Sequence, residues 1–143
     1  MDTQLIFNVY NTAILCPWLA MLAFPTSDFT LKMVRSKWPV TFIAISYLVL
    51  FVVDASIGQG SGIDFTSFES IKSAFARDEM LLIGWLHYLA FDLLVGFYEF
   101  DYAQTHGIKR YLLFPCLLFT LMLGPIGWLL FTLVAKLSIR SNK

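Results

Sequence analysis

Long apolar runs separated by short polar breaks recur four times along the chain. They cover about residues 5–24, 38–57, 80–100 and 111–136. Each reaches the ~20 residues an α-helix needs to cross a bilayer core. None alternates apolar and polar positions with period two, which excludes a β-barrel. Lipid leaves helices as the remaining solution, because backbone groups must be satisfied internally. The pattern predicts an all-α membrane protein, a single domain over residues 1–143. Its four transmembrane helices form a bundle with both termini on the same side.

The breaks carry their own signals. Pro25-Thr26-Ser27-Asp28 ends the first run, and Lys32, Arg35 and Lys37 follow in the connection. Gly58-Gln59-Gly60-Ser61-Gly62 is a flexible breaker. Beyond it, Phe68, Ile71 and Phe75 recur at helical spacing. They predict a short amphipathic helix between helices two and three, lying in the interface or packed on the bundle. Lys32, Arg35, Lys37, Lys109 and Arg110 fall on one side of the membrane. Lys72, Arg77, Lys136, Arg140 and Lys143 fall on the other, so the positive-inside rule ties. Trp38, Tyr98 and Tyr111 sit where interfacial aromatics are expected, whereas Trp18, Trp85 and Trp128 lie deeper and are available to a cavity.

Two runs are interrupted. Pro17 is expected to kink the first helix, and Gly124-Pro125-Ile126-Gly127 to break the fourth. Carbonyls freed by a break must find partners or line a cavity. Space inside the bundle is therefore expected.

Composition agrees with the pattern. The chain is 58% hydrophobic and 14% charged, against about 45–50% and 25% for a soluble domain. Zero net charge gives no electrostatic footprint for a nucleic-acid partner. Cys16 and Cys116 both fall inside apolar runs and read as apolar thiols rather than a disulfide framework. The N-terminus lacks a basic signal-peptide region, so the first run reads as a retained helix. That points to a bacterial inner membrane, or to a thylakoid or plastid membrane in a photosynthetic source.

The third run holds His87 and Asp92 near its middle. An ionisable group at the centre of a membrane helix costs roughly 2.5–3.5 kcal/mol on insertion scales and marks a functional position by default. At 100° per residue, Trp85, Leu89, Asp92, Gly96 and Glu99 fall within a stripe about 80° wide. His87 lies nearly opposite, with Phe91, Leu94, Tyr98 and Asp101. The two groups therefore meet different neighbours. Asp92, beside the gap left by Gly96, reads as an acid lining a cavity. The plainer alternative is an interhelical hydrogen bond to Asn8, Asn11, Thr12 or Thr120. For His87 the alternatives are a structural hydrogen bond and a contact with substrate or pigment. Glu99, Asp101 and His106 match no metal-binding spacing. No nucleophile elbow or phosphate loop is present. Asn8, Asn11 and Thr12 read as interhelical glue.

The segment Gly84-Trp85-Leu86-His87-Tyr88-Leu89-Ala90-Phe91-Asp92-Leu93-Leu94-Val95-Gly96 resembles the signature of the abscisic-acid-deficient-4-like membrane family. Pro115-Cys116-Leu117-Leu118-Phe119-Thr120, followed by Gly124-Pro125-Ile126-Gly127, is similar to its second block. Phe7-Asn8, Pro17-Trp18 and Pro25 also fit. The resemblance covers nearly the whole chain in order. Plant members are associated with making neoxanthin from violaxanthin, so the resemblance implies a carotenoid-linked role. Opening an epoxide to an allene needs a proton delivered to the epoxide oxygen and another removed from a neighbouring carbon, with no redox cofactor.

On this reading Asp92 is the candidate acid and His87 the candidate base. Trp85, Gly96, Glu99, Asn8, Trp18, Gly124 and Pro125 are candidate substrate-binding residues. No cofactor and no metal are expected. The expected partners are the lipid bilayer and an isoprenoid or carotenoid ligand, in a homo-oligomer or a pigment–protein complex. Two rival readings stand beside it. One is a non-catalytic accessory subunit of a pigment–protein complex, with His87 on a chlorophyll. The other is a small assembly protein whose polar groups only hold the bundle together.

Overall fold

A computed structural model describes residues 2–57 and 63–141. Its described residues form only helices: α1 (Thr3–Ala13), α2 (Leu15–Ala23), α3 (Asp28–Ser36), α4 (Trp38–Ser56), α5 (Phe68–Phe75), α6 (Asp78–His106) and α7 (Arg110–Ser141). Four spans are long and apolar enough to cross a membrane: Thr3–Ala23, Trp38–Ser56, Asp78–His106 and Arg110–Ser138. The four-helix membrane architecture expected from the runs is thus present. The glycine-rich breaker at 58–62 lies outside the described residues.

The first span is two helices that meet at Ile14, three residues before Pro17. Proline has no N–H to give to the carbonyl four residues back, so the ladder is interrupted there. The connection after it is not a plain loop. Ser27 caps α3, its Oγ accepting from the Thr30 N–H at 3.1 Å. Asp28 in the first turn and Arg35 in the last complement the helix dipole. Lys37, at φ 55°, ends α3 in the left-handed region, and Pro39 opens α4. The charged residues of this stretch had masked a helix that buries Thr30, Met33 and Val34.

The predicted amphipathic helix is α5, capped by Ser67. It buries Ala74 and leaves Phe65 and Phe68 each 76% exposed. The Asp64 carboxylate accepts from the Thr66 hydroxyl and N–H, which holds its carboxyl below the usual range.

The central element is α6. Helices α1, α2, α3, α4, α5 and α7 all pack against it. Its 29 residues reach roughly 43 Å at 1.5 Å per residue. Gly107, at φ 66°, ends it in the left-handed conformation that suits glycine. Enclosure on several faces explains how α6 carries Asp92 and Glu99 away from lipid, while His87 is exposed. At one end of the bundle, the Arg110 guanidinium donates to the Leu22 carbonyl at 2.6 Å, and Gln104 donates to the Pro25 carbonyl at 3.2 Å. At the other end, Arg77 clasps Asp54 with two bonds of 2.8 and 3.3 Å. The apolar core between them is built on Trp18, Leu86, Leu93, Phe97, Phe100 and Leu117.

Candidate active site at the α6–α7 contact

Asp92 is the fifteenth of the 29 residues of α6. Directly opposite, α7 loses its helical geometry at Leu123 (φ −149°, ψ 62°), two residues before Pro125. The break falls near the middle of the fourth span. Gly124 lies so close to α6 that a Cβ there would collide with the Asp92 carboxyl. One carbonyl at the break, that of Met122, is met by the Tyr88 hydroxyl at 3.2 Å. Tyr88 also lies beside Asp92. The Tyr88 hydroxyl is thus within reach of two acceptors, the Met122 carbonyl and the Asp92 carboxyl. Asp92 Oδ2 is buried and has no hydrogen-bond partner among the described residues.

Glu99, two turns along the same face, is also buried. The Thr120 hydroxyl lies 2.9 and 3.0 Å from its two carboxylate oxygens. Thr120 therefore serves Glu99, not Asp92. The bend of α7 folds Gly127 onto Thr120, where a Cβ would strike its hydroxyl oxygen as well as its main-chain nitrogen and Cα. Cys116, one turn before Thr120, is fully buried and donates to the Leu112 carbonyl at 3.2 Å. The α6–α7 seam thus holds two carboxyls on one helix face against a broken partner helix.

The other expected site residues are distributed differently. His87 is exposed on the far face of α6, stacked on Phe91 at 4.6 Å and 5.8 Å from Tyr47. It shares no cavity with Asp92. Gly96 does not leave room for a ligand, because the Trp18 indole fills the notch. Trp18 is 1% exposed and acts as a core side chain. Asn8, Asn11 and Thr12 all face outward, so none of them fastens α1 to the bundle. Asn8 accepts from Gln4 at 3.1 Å within its own helix. The interhelical bond of α1 comes instead from the Tyr10 hydroxyl, 2.6 Å from Ser46 Oγ.

Trp85 sits 5.1 Å from Tyr88 and 5.7 Å from Phe7, ring centre to ring centre, and its buried Nε1 has no partner among the described residues. It also lines a cleft of about 470 Å³ with Phe7, Leu82, Thr3 and Gln4. An apolar groove of about 390 Å³ runs along α1, α2, α3 and α4 between Tyr10, Phe29, Trp38 and Phe42. Neither opening is lined by Asp92. The space expected from the kinks is largely taken up by close packing of glycines against Trp18, Asp92 and Thr120. Among the described residues, no three His, Cys, Asp or Glu side chains converge as a metal site would require.

Tyr88 was missed by sequence reasoning although its signal was present. It stands one turn before Asp92, so both belong to the same stripe. The Arg77–Asp54 pair was also missed. Its signal was an acid in the last turn of one span and a base at the start of the next.

The ABA DEFICIENT 4-like family model matches residues 5–131. The chain belongs to this family. No curated protein and no solved structure matches it. The ABA DEFICIENT 4-like match takes in α1 through most of α7, and so includes both carboxyls and the broken segment that faces them.

Proposed function

We propose that this ABA DEFICIENT 4-like protein binds an isoprenoid polyene in the membrane and isomerises an epoxide end group on it. The observation that carries this reading is Asp92: a carboxyl at the middle of the third span, beside the Tyr88 hydroxyl, with its buried Oδ2 lacking a partner among the described residues and set against a helix break. Unsatisfied buried polar groups cost roughly 1–3 kcal/mol, and intramembrane acids mark pathways and reaction sites. Asp92 delivers a proton to the epoxide oxygen as the carbon–oxygen bond breaks. The Asp92 carboxylate so formed takes a proton from the neighbouring carbon, while Glu99, fully buried against Thr120 two turns away, is out of reach of the same end group. The sum is an isomerisation, with one proton in and one out. The exposed position of His87 on the opposite face keeps it out of this step. The cleft at Trp85 supplies an approach, with Tyr88 between it and Asp92.

The test is conversion of an epoxy-carotenoid by protein reconstituted in vesicles. Asp92→Asn is expected to reduce turnover at least ~100-fold, the scale of a lost general acid, while pigment binding persists. Full turnover by Asp92→Asn would remove the reading.

His87 favours a second reading. An imidazole exposed on the outer face between aromatic rings is accessible to a pigment, as an accessory subunit of a pigment–protein complex would require. A chlorophyll-type absorption band in protein purified with mild detergent, lost in His87→Gln, would support it over the first.

A further inference from the structure

Helix α1 exposes a polar stripe beside the apolar Leu5 and Val9, where a membrane helix is expected to be apolar throughout. Its inward positions are Ile6, Phe7 and Tyr10, which pack on the apolar core. Its outward positions include Gln4, Asn8, Asn11 and Thr12, all exposed. Helices α4 and α7 show the pattern lipid demands. On α4 the exposed residues include Phe42, Ile45, Leu48 and Val52, and on α7 they include Leu118, Met122, Leu129 and Leu133. Asn11 is the ninth residue of a 21-residue span, so it sits deep in the hydrocarbon. Asn11 and Thr12 make no side-chain hydrogen bond to any described residue. Asn8 has its oxygen engaged by Gln4 and its amide protons free. Facing lipid, these groups would each cost free energy with nothing to offset it.

Their spacing says what covers them. Gln4, Asn8 and Asn11 follow one another within α1 at intervals of four and three, and Leu15, the first residue of α2, continues the row across Ile14, whose φ −61° and ψ −25° stay in the helical region; this is the 3.5-residue period of a helix pair. Carboxamides are self-complementary, each being donor and acceptor. In a parallel, two-fold pair, equivalent positions meet across the axis, so Asn8 faces Asn8 and Asn11 faces Asn11. Asparagine at such a position is a known device for fixing two strands in register. Thr12 flanks the seam, and small polar side chains let helices approach closely.

We infer that the exposed face of α1 is a homodimer interface, in which Asn8 and Asn11 pair with the same residues of a second copy of this chain. The inference is independent of the reaction proposed above.

The test uses cysteine cross-linking in phosphatidylcholine vesicles. Cys116 is buried, so Cys16→Ser leaves a background without an accessible thiol. In that background Leu15→Cys is expected to form disulfide-linked dimers on copper–phenanthroline oxidation, because facing positions of such a pair come within the ~4.4–6.8 Å Cα separation that a disulfide spans. Leu133→Cys on the outer face of α7 is expected to stay monomeric. By fluorescence energy transfer on dilution with lipid, Asn8→Leu and Asn11→Leu should each weaken association roughly three- to thirtyfold, the range given by one intramembrane polar contact. Asn11→Gln, which keeps the amide, should hold the dimer better than Asn11→Leu. A Leu15→Cys protein that stays monomeric overturns the inference. So does association unaffected by either leucine variant, or a Leu15→Cys protein that cross-links in native membranes to a different protein.

Discussion

The Asp92 carboxyl occupies the position that a side chain on Gly124 would take. This single contact joins the middle of α6 to the break in α7, and it makes glycine obligatory there for reasons of space. Gly124→Ala is expected to destabilise the protein by ~1–3 kcal/mol, the usual cost of overpacking, read as a lower thermal midpoint in detergent. Shortening the partner relieves the clash, so Asp92→Ser/Gly124→Ala should recover most of the loss. Gly127→Ala behaves differently. Its Cβ would meet the Thr120 backbone, which no side-chain substitution can move. If Thr120→Ser or Thr120→Ala restored Gly127→Ala to the wild-type midpoint, that packing would be wrong.

Thr120 is expected to be needed for its hydroxyl. Thr120→Val keeps the shape and leaves the Glu99 carboxyl, 0% exposed, without its donor. The cost is ~1–3 kcal/mol for a buried group left unsatisfied. Thr120→Ser keeps the donor and should stay close to wild type. In the double variant Thr120→Val/Glu99→Leu both polar partners are gone, and the midpoint should rise again above that of Thr120→Val. A double variant less stable than Thr120→Val would show that the hydroxyl–carboxyl bond is not what holds this layer.

The four spans were legible because length and apolarity alone decide a membrane helix. The angular arithmetic on α6 was equally direct, separating Asp92 and Glu99 from His87 before any coordinates. Local pattern cannot say which partner faces a stripe, and there sequence reasoning stopped. Gly96 was read as room for a ligand, yet the same gap admits the Trp18 indole just as well. Asn8, Asn11 and Thr12 were read as glue within the bundle, because a sequence shows a polar stripe but not whether it points in or out. Helix α3 was hidden by its charge: Lys32 and Arg35 dominate the reading, while the helix is only nine residues long and its buried side is Thr30, Met33 and Val34.

His87 should tolerate change. It is exposed and makes ring contacts only, so His87→Gln is expected to alter stability by less than ~0.5 kcal/mol, as for other surface positions. On the isomerase reading it also leaves turnover within a few-fold of wild type. Loss of turnover in a well-folded His87→Gln protein would return the imidazole to the mechanism and count against Asp92 as the group that handles both protons.

Arg77 and Asp54 tie the end of α4 to the start of α6, and Asp54 is only 5% exposed. Truncating the base leaves an unpaired buried carboxylate. Arg77→Met should therefore lower stability by ~3 kcal/mol, the lower end for a broken buried pair. Arg77→Lys keeps the charge but loses the planar fork that reaches both oxygens, and should fall between. The discriminating variant is Asp54→Leu/Arg77→Met. Removing both charges also removes their desolvation cost, so the double variant is expected to be more stable than Arg77→Met and close to wild type. Thermal unfolding of the wild type, Arg77→Met, Asp54→Leu and the double variant in one detergent measures the coupling. If the two single losses simply add, the bidentate contact contributes nothing of its own, and the junction of α4 and α6 rests on apolar packing by Met80 and Ile83.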